Sequence, residues 1–243
     1  TLILPGDTAW HDADGPATLP PVPPRRRVSQ DAISNAAAAL RSGEPALLLL
    51  GGTATRARAL ELAAKIARRT GARLLLPTFN ARIERGAGRV AVDRLPYPVE
   101  LAVEALRGLR HIILVGSTTP VAFFAYPDKP SLLAPPEAQI HVLARIEEDI
   151  LHALEWLADE LGAVRLTADL APLQPGAPAT GPITPASLGE SLSALLPEHA
   201  IVVDEGVTVG RTCFAPTRTA QPHDWLQNMG GSIGIGPPLS VGA

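Results

Sequence analysis

Ala46-Leu47-Leu48-Leu49-Leu50-Gly51-Gly52 is the stretch from which the architecture follows. Five apolar residues, entered from Pro45 and left through two glycines, are too few for a buried helix. They suit a strand covered on both faces, as in a parallel sheet. Upstream, Ser29 can cap a helix running to about Arg41, with Asp31 near its positive end and Gly43 at its stop. Downstream, a helix from about Arg56 to Arg69 carries Leu62 and Ile66 on one face and a Glu61–Lys65 pair four apart. Gly71 ends it, and Arg73 to Leu76 reads as the next strand. Strand, helix and strand make a βαβ unit whose crossover is expected to be right-handed.

The alternation continues. Pro77 to Asp93 reads mostly as loop and Pro98 to Leu106 as helix. His111 to Val115 reads as a third buried strand ended by Gly116, and Gln139 to Leu143 as a fourth. Between these two strands, Ala122 to Pro136 is a loop rich in proline and aromatic residues. Glu147, Glu148 and Asp149 open a helix bearing Ile150, Leu154, Trp156 and Leu157, which ends at Gly162. Val164 to Leu166 is expected as a further short strand. The fold class is therefore α/β, with a Rossmann-like parallel sheet over residues 28–170.

Proline-dense connections flank this region. Residues 1–27 hold six prolines and close on Arg25-Arg26-Arg27, and only Leu2 to Leu4 reads as a strand. Residues 171–185 hold five more. Thr184-Pro185 then suits the start of a helix carrying Leu188, Leu192 and Leu195. Ala200 to Val203 follows as a strand running into Asp204-Glu205-Gly206. This second α/β unit, residues 186–243, is expected to stop before it closes a sheet.

Composition bounds the function. The 243 residues are 46% hydrophobic and 19% charged, so a packed core rather than disorder is expected. Lys plus Arg is 21 and Asp plus Glu 24, a formal charge of -3, which gives no basic face for nucleic acid. No apolar run approaches the roughly 18 residues of a membrane span, and no signal peptide is read at the start. With one cysteine, Cys213, no internal disulfide can form, and a cytoplasmic setting is expected. The six histidines are dispersed, and no metal-ligand spacing occurs. His111 and His141 read as packed or rim residues, and Cys213 as an inert thiol rather than the partner of His223.

Two stretches could carry chemistry. Gly51-Gly52-Thr53-Ala54-Thr55 joins a strand to a helix, where free N–H groups can hold an anion. It lacks both the spaced glycines of a dinucleotide fingerprint and the Gly-Lys-Ser/Thr of a phosphate loop, which favours a plain tight turn. The second stretch runs from Trp225 to Pro238 and places four glycines in the seven residues 230–236. Such a segment admits close approach of a ligand or of another chain. It could form a site with Asp204-Glu205-Gly206 at a strand's carboxyl end, or it could be glycine-rich packing alone.

Four stretches, in order, resemble the thiamin-diphosphate enzyme family that includes acetolactate synthase, benzoylformate decarboxylase, pyruvate decarboxylase and 2-hydroxyacyl-CoA lyase. The similarity is nearest to its acetolactate-synthase-like large subunits beside the benzoylformate decarboxylase branch. Leu4 to Trp10 is similar to the end of the family's pyrimidine-binding domain. Residues 28–170, including Phe79 to Gly86 and Pro120 to Pro127, resemble its central domain. Val203 to Gly206 and Gly230 to Pro238 resemble the opening of its diphosphate-binding domain.

The resemblance implies four segments: residues 1–27, the end of the pyrimidine-binding domain and a linker; 28–170, the central domain; 171–185, a linker; and 186–243, the start of the diphosphate-binding domain. It implies that the Gly231 carbonyl accepts a hydrogen bond from the cofactor's pyrimidine amino group. Ile233 would hold the cofactor in its bent shape, which brings that nitrogen near the thiazolium C2 proton. Glu205 would help order the site, and Gly206, Thr208 and Ser232 would line the cofactor cleft.

The family's catalytic glutamate and its magnesium-binding Gly-Asp-Gly…Asn motif have no counterpart in these residues; Asp204 lacks that context. The 243 residues alone are therefore expected to hold thiamin diphosphate and magnesium weakly and to be inactive. An active parent would be a homodimer or homotetramer acting on a 2-oxo acid. True acetolactate synthases also bind FAD in the central domain. Without a nucleotide fingerprint, an empty, structural central domain is expected here ahead of FAD. The competing reading is a stand-alone nucleotide-binding or structural module, and the Gly51-Gly52 turn discriminates between them.

Overall fold

The structure, a computed structural model, describes residue 3, residues 5–13 and residues 15–243. Among these are seven strands: β1 (Ala46–Leu50), β2 (Arg73–Leu75), β3 (Arg82–Arg85), β4 (His111–Val115), β5 (Gln139–Ala144), β6 (Ile201–Asp204) and β7 (His223–Gln227). Six helices accompany them: α1 (Gln30–Arg41), α2 (Ala57–Thr70), α3 (Val99–Leu106), α4 (Ile150–Glu160), α5 (Pro185–Leu195) and α6 (Gly236–Gly242).

The first sheet is parallel, in the order β2-β1-β4-β5. β1 and β4 are buried along their whole length, because the period-two alternation of a strand sends apolar residues to both faces. Leu48, Leu50, Ile113 and Val115 pack with α1, α2 and α4. Leu47, Leu49, Ile112 and Leu114 pack with α3 on the other side. Each fully buried leucine contributes about 1.5–3 kcal/mol, so the Ala46–Leu50 run holds three layers together. Ser29 caps α1 by accepting from the Ala32 amide, and Gly71 stops α2 in the left-handed region at φ 78°. β1 connects outward to β2 on one side and neighbours β4 on the other, so the strand order reverses between β1 and β4. That is where open α/β sheets place a ligand crevice.

The second sheet has the order β3-β7-β6. β7 runs parallel to β6 and antiparallel to β3, with Arg82 opposite Leu226 and Arg85 opposite His223. Residues 77–93 are mostly loop, as expected, but they also hold a strand that the sequence reading missed, Arg82–Arg85, whose buried positions are Ile83 and Arg85. Through it the sheet of residues 186–243 gains a third strand, drawn from the span read as the central domain.

Two smaller readings also change, and a third is not reached. Val164–Leu166 is a turn, held over α2 by Lys65 and Arg68, which donate to the Val164 and Thr167 carbonyls; this also takes Lys65 away from Glu61. α4 begins only at Ile150. Asp149 caps it, while Glu148 accepts from the Arg145 amide in the preceding turn. The strand expected at Leu2–Leu4 falls on Leu2 and Leu4, which lie outside the described residues; Asp7–Ala9 is a short 3-10 turn.

Candidate functional site

β6 and β7 deliver two loops to the same place, and two neighbouring acids organise them. Asp204 ends β6 with a side chain only 8% exposed. One carboxylate oxygen accepts from the Gly206 amide at 2.9 Å. The other accepts from Trp225 Nε1 at 3.0 Å and faces Arg94 at 3.6 Å. The chain then turns so tightly that a Cβ on Gly206 would stand 2.4 Å from the Gly210 Cα. Asp204 is thus a structural anchor whose oxygens are already engaged.

Glu205 reaches across to the glycine-rich loop. Its carboxylate accepts from the amides of Gly234 and Gly236, the latter at 2.5 Å. These amides, Gly234 first, hold the Glu205 pKa below the usual carboxylate value. A depressed carboxylate contributes order above its unfolded pKa and loses it as pH falls through the folded pKa. The protection of the Gly234 and Gly236 amides, their exchange relative to the unprotected rate at the same pH, is therefore expected to fall as acid protonates Glu205. Glu205→Gln should show fast exchange at neutral pH with unfolding of the rest unchanged. Equal exchange in both proteins would refute the staple.

The loop itself runs Met229-Gly230-Gly231-Ser232-Ile233. Gly231 sits at φ 69°, and a Cβ there would lie 2.8 Å from the Phe123 Cζ. Only glycine lets the backbone lie on that ring. The Gly231 carbonyl accepts from the Ile233 amide at 2.9 Å, which leaves its second lone pair. Ile233 is 84% exposed, an apolar side chain presented outward by a tethered loop. Ser232 is exposed, its amide bonded to the Met229 carbonyl. Gly206 and Thr208 lie exposed on the loop after β6. The structure thus ties Glu205 to the loop bearing Gly231, Ser232 and Ile233.

Sequence reasoning assigned no role to the aromatic wall beside this loop. Phe79, Tyr97, Phe123, Phe124 and Tyr126 contact one another in series, mostly edge to face. The Tyr97 and Tyr126 hydroxyls lie 3.0 Å apart, and the Arg211 guanidinium stands 5.0 Å from the Tyr97 ring. Tyr97, Tyr126, Lys129 and Arg211 line a cleft of about 260 Å³. The only signal in the sequence was the aromatic and proline content of the 122–136 loop.

The other candidates prove structural. The Gly51 amide donates to the Val115 carbonyl at 2.8 Å, and a Cβ on either Gly51 or Gly116 would collide with the other's carbonyl. At the start of α2, the Ala57 amide donates to Glu84 at 2.8 Å, so a carboxylate of the chain itself stands where an anionic ligand would bind. Cys213 is buried, and burial pushes its thiol pKa up, which suits an inert thiol. Arg85 is buried against the Phe214 ring, with its guanidinium 3.4 Å from the ring centroid; desolvation lowers its pKa to about 9. Among the described residues no group of three or more His, Cys, Asp or Glu gathers as a metal site, and no helix is long and apolar enough to cross a membrane.

The architecture is the fold of thiamin-diphosphate-dependent enzymes. A thiamin-diphosphate-enzyme-like protein isolated from Mycobacterium smegmatis superposes with a TM-score of 0.66 at 22% identity, covering 95% of this chain and 47% of that one. The thiamine-diphosphate-dependent 4-hydroxybenzoylformate decarboxylase of Rhodococcus jostii gives 0.66 at 19%, covering 92% and 45%. In sequence, the chain is 44% identical over all 243 residues to the acetolactate synthase large-subunit-like protein IlvX of Mycobacterium tuberculosis. These matches bear out the family resemblance read in the residues. The chain spans about half the length of that curated relative, covering 46% of it. No protein-family model matches the chain.

Proposed function

We propose that these residues work within a thiamin-diphosphate-dependent enzyme acting on 2-oxo acids, by decarboxylation or by acyl transfer. The observation that carries the reading is the Glu205 staple. It fixes the loop that presents Ile233 outward and keeps a lone pair free on the Gly231 carbonyl, the two groups that the family uses toward the cofactor's pyrimidine and bend. The 44% identity over the whole chain supports it.

The residues fit one part of the cofactor and not the other. Gly231 and Ile233 suit the pyrimidine and the bend, with Phe123 buttressing the loop from behind. For the diphosphate and magnesium, Asp204 is already committed to Gly206, Trp225 and Arg94, and the described residues gather no alternative set. Thiamin diphosphate, when bound, supplies the nucleophile and the electron sink for the 2-oxo acid. The chain's own share is positioning: Glu205 holds the loop and Ile233 shapes the contact. The parent is expected to act as a homodimer or homotetramer, with magnesium held by residues outside these 243.

The stand-alone nucleotide module is the weaker reading, because Glu84 occupies the α2 N-terminus and Gly51 and Gly116 close the switch point.

The test is a 2-oxo-acid turnover assay on the native polypeptide carrying these residues, with thiamin diphosphate and magnesium added or withheld. Turnover should require the cofactor and fall by about 100-fold or more in Ile233→Asp, on the order of 3 kcal/mol in the barrier. The 243 residues alone should show none. Turnover indifferent to the cofactor, or untouched by Ile233→Asp, would overturn the proposal.

A further inference from the structure

His111 and His141 lie on neighbouring parallel strands, β4 and β5. Their registers (His111 opposite Gln139, Ile113 opposite His141) place both imidazoles on one face. His111 begins its strand, at the end of the sheet opposite Gly51 and Gly116. Its Nδ1 is 3.1 Å from His141 Nε2, and its Nε2 is 3.0 Å from a Glu44 carboxylate oxygen. The other Glu44 oxygen faces Arg110 Nε at 3.5 Å. The His111 side chain is only 8% exposed, so packing holds the ring, while His141 is half-buried and reachable from solvent.

We propose that His111 and His141 form a chelating site for a divalent transition-metal ion of the copper(II) or nickel(II) class, with Glu44 orienting His111. A carboxylate can only accept, so Glu44 fixes the His111 proton on Nε2 and leaves Nδ1 bare. In the metal-free protein His141 Nε2–H donates to this bare Nδ1 at 3.1 Å; a metal ion would take that proton's place, with His141 then carrying its proton on the opposite nitrogen. Two nitrogens 3.1 Å apart span the edge between cis ligands of one ion. At metal–nitrogen distances of about 2.0–2.1 Å the angle is about 95–100°, closer to tetragonal or octahedral geometry than to tetrahedral.

Carboxylate, histidine and metal in series is the usual arrangement of protein metal sites, the carboxylate fixing the ring's tautomer and orientation. No third His, Cys, Asp or Glu joins them among the described residues, so water completes the sphere. This site is independent of the glycine-rich loop and of the function proposed there.

The experiment titrates copper(II), then nickel(II), into the tag-free 243-residue chain, with binding followed by calorimetry and the copper spectrum by electron paramagnetic resonance. The expected result is saturable one-to-one binding with two nitrogen ligands resolved. Saturating metal should raise the thermal midpoint by about 5 °C. Glu44→Gln, which keeps both imidazoles, should weaken affinity about 10–100-fold. His141→Ala should abolish one-to-one binding. His141→Gln, which keeps a polar group at the site, should behave alike and guards against misfolding of the alanine variant. Binding that survives both His141 variants would assign the ion to other histidines and overturn the proposal. So would a copper spectrum with fewer than two nitrogens, or no saturable binding.

Discussion

Gly116→Val is expected to be the most damaging single change in the first sheet, costing more than about 4 kcal/mol. Gly116 sits at φ 63°, where a β-branched residue is strained by about 1–3 kcal/mol before any contact is considered. Its Cβ would lie 2.5 Å from the Gly51 carbonyl oxygen and 2.5 Å from Ile150 Cδ1. Neither neighbour yields cheaply. Gly51 is tied through its amide to Val115, and Ile150 is buried at the head of α4. Urea unfolding followed by circular dichroism measures the effect, with Gly43→Ala as the control. Gly43 shares the positive φ but faces open space, so it should lose only about 1 kcal/mol. Equal losses at the two positions would show that the backbone approach of β1 and β4 is not what makes Gly116 necessary.

Asp204→Ala is the second large effect, about 3–5 kcal/mol. The expectation rests on what is left behind rather than on what is removed. Without the carboxylate, the half-buried Arg94 loses its counter-charge, and Trp225 Nε1 and the Gly206 amide lose their acceptor. Asp204→Asn keeps an acceptor for one of the two donors while removing the charge, and should fall between the alanine variant and the parent. The loss should appear in the unfolding midpoint together with a change in near-ultraviolet dichroism as the Trp225 environment loosens. A loss below about 1 kcal/mol, the range of an exposed ion pair, would mean that water already serves these donors.

The contrast between the two sheets explains what the sequence could and could not reveal. Ala46–Leu50 and Ile112–Val115 are apolar throughout because both faces of their sheet are covered, so composition alone marked them as buried parallel strands. β3 was hidden because one of its two inward residues is Arg85, which buries its charge against Phe214 and reads as a surface residue in any hydrophobicity pattern. Its partner β7 lies some 140 residues away, and local periodicity carries no record of a pairing at that distance.

The candidate site divides in the same way. The glycines from 230 to 236 announce a backbone that something must approach. In this fold two groups approach it: the Glu205 carboxylate at Gly236, and Phe123 at Gly231, brought in from the loop after β4 by tertiary packing. The Glu205 staple was equally invisible, since nothing in the spacing of Glu205 and Gly234 marks a hydrogen bond. Asp204 could be excluded as a magnesium ligand from its sequence context, but its two tertiary partners, Trp225 and Arg94, came only with the fold.

The pairing of β3 with β7 also determines how the chain can be taken apart. The proline-rich segment 171–185 is the covalent path between residues 28–170 and residues 186–243, yet it is not the sole mechanical link. A protease nick there would free two ends and leave the halves clasped by a backbone ladder, much as a nicked ring stays closed at its buckle. Conversely, expressing residues 28–170 by themselves would leave β3 with bare hydrogen-bonding edges and a buried arginine turned outward, a surface prepared for self-association rather than for solution.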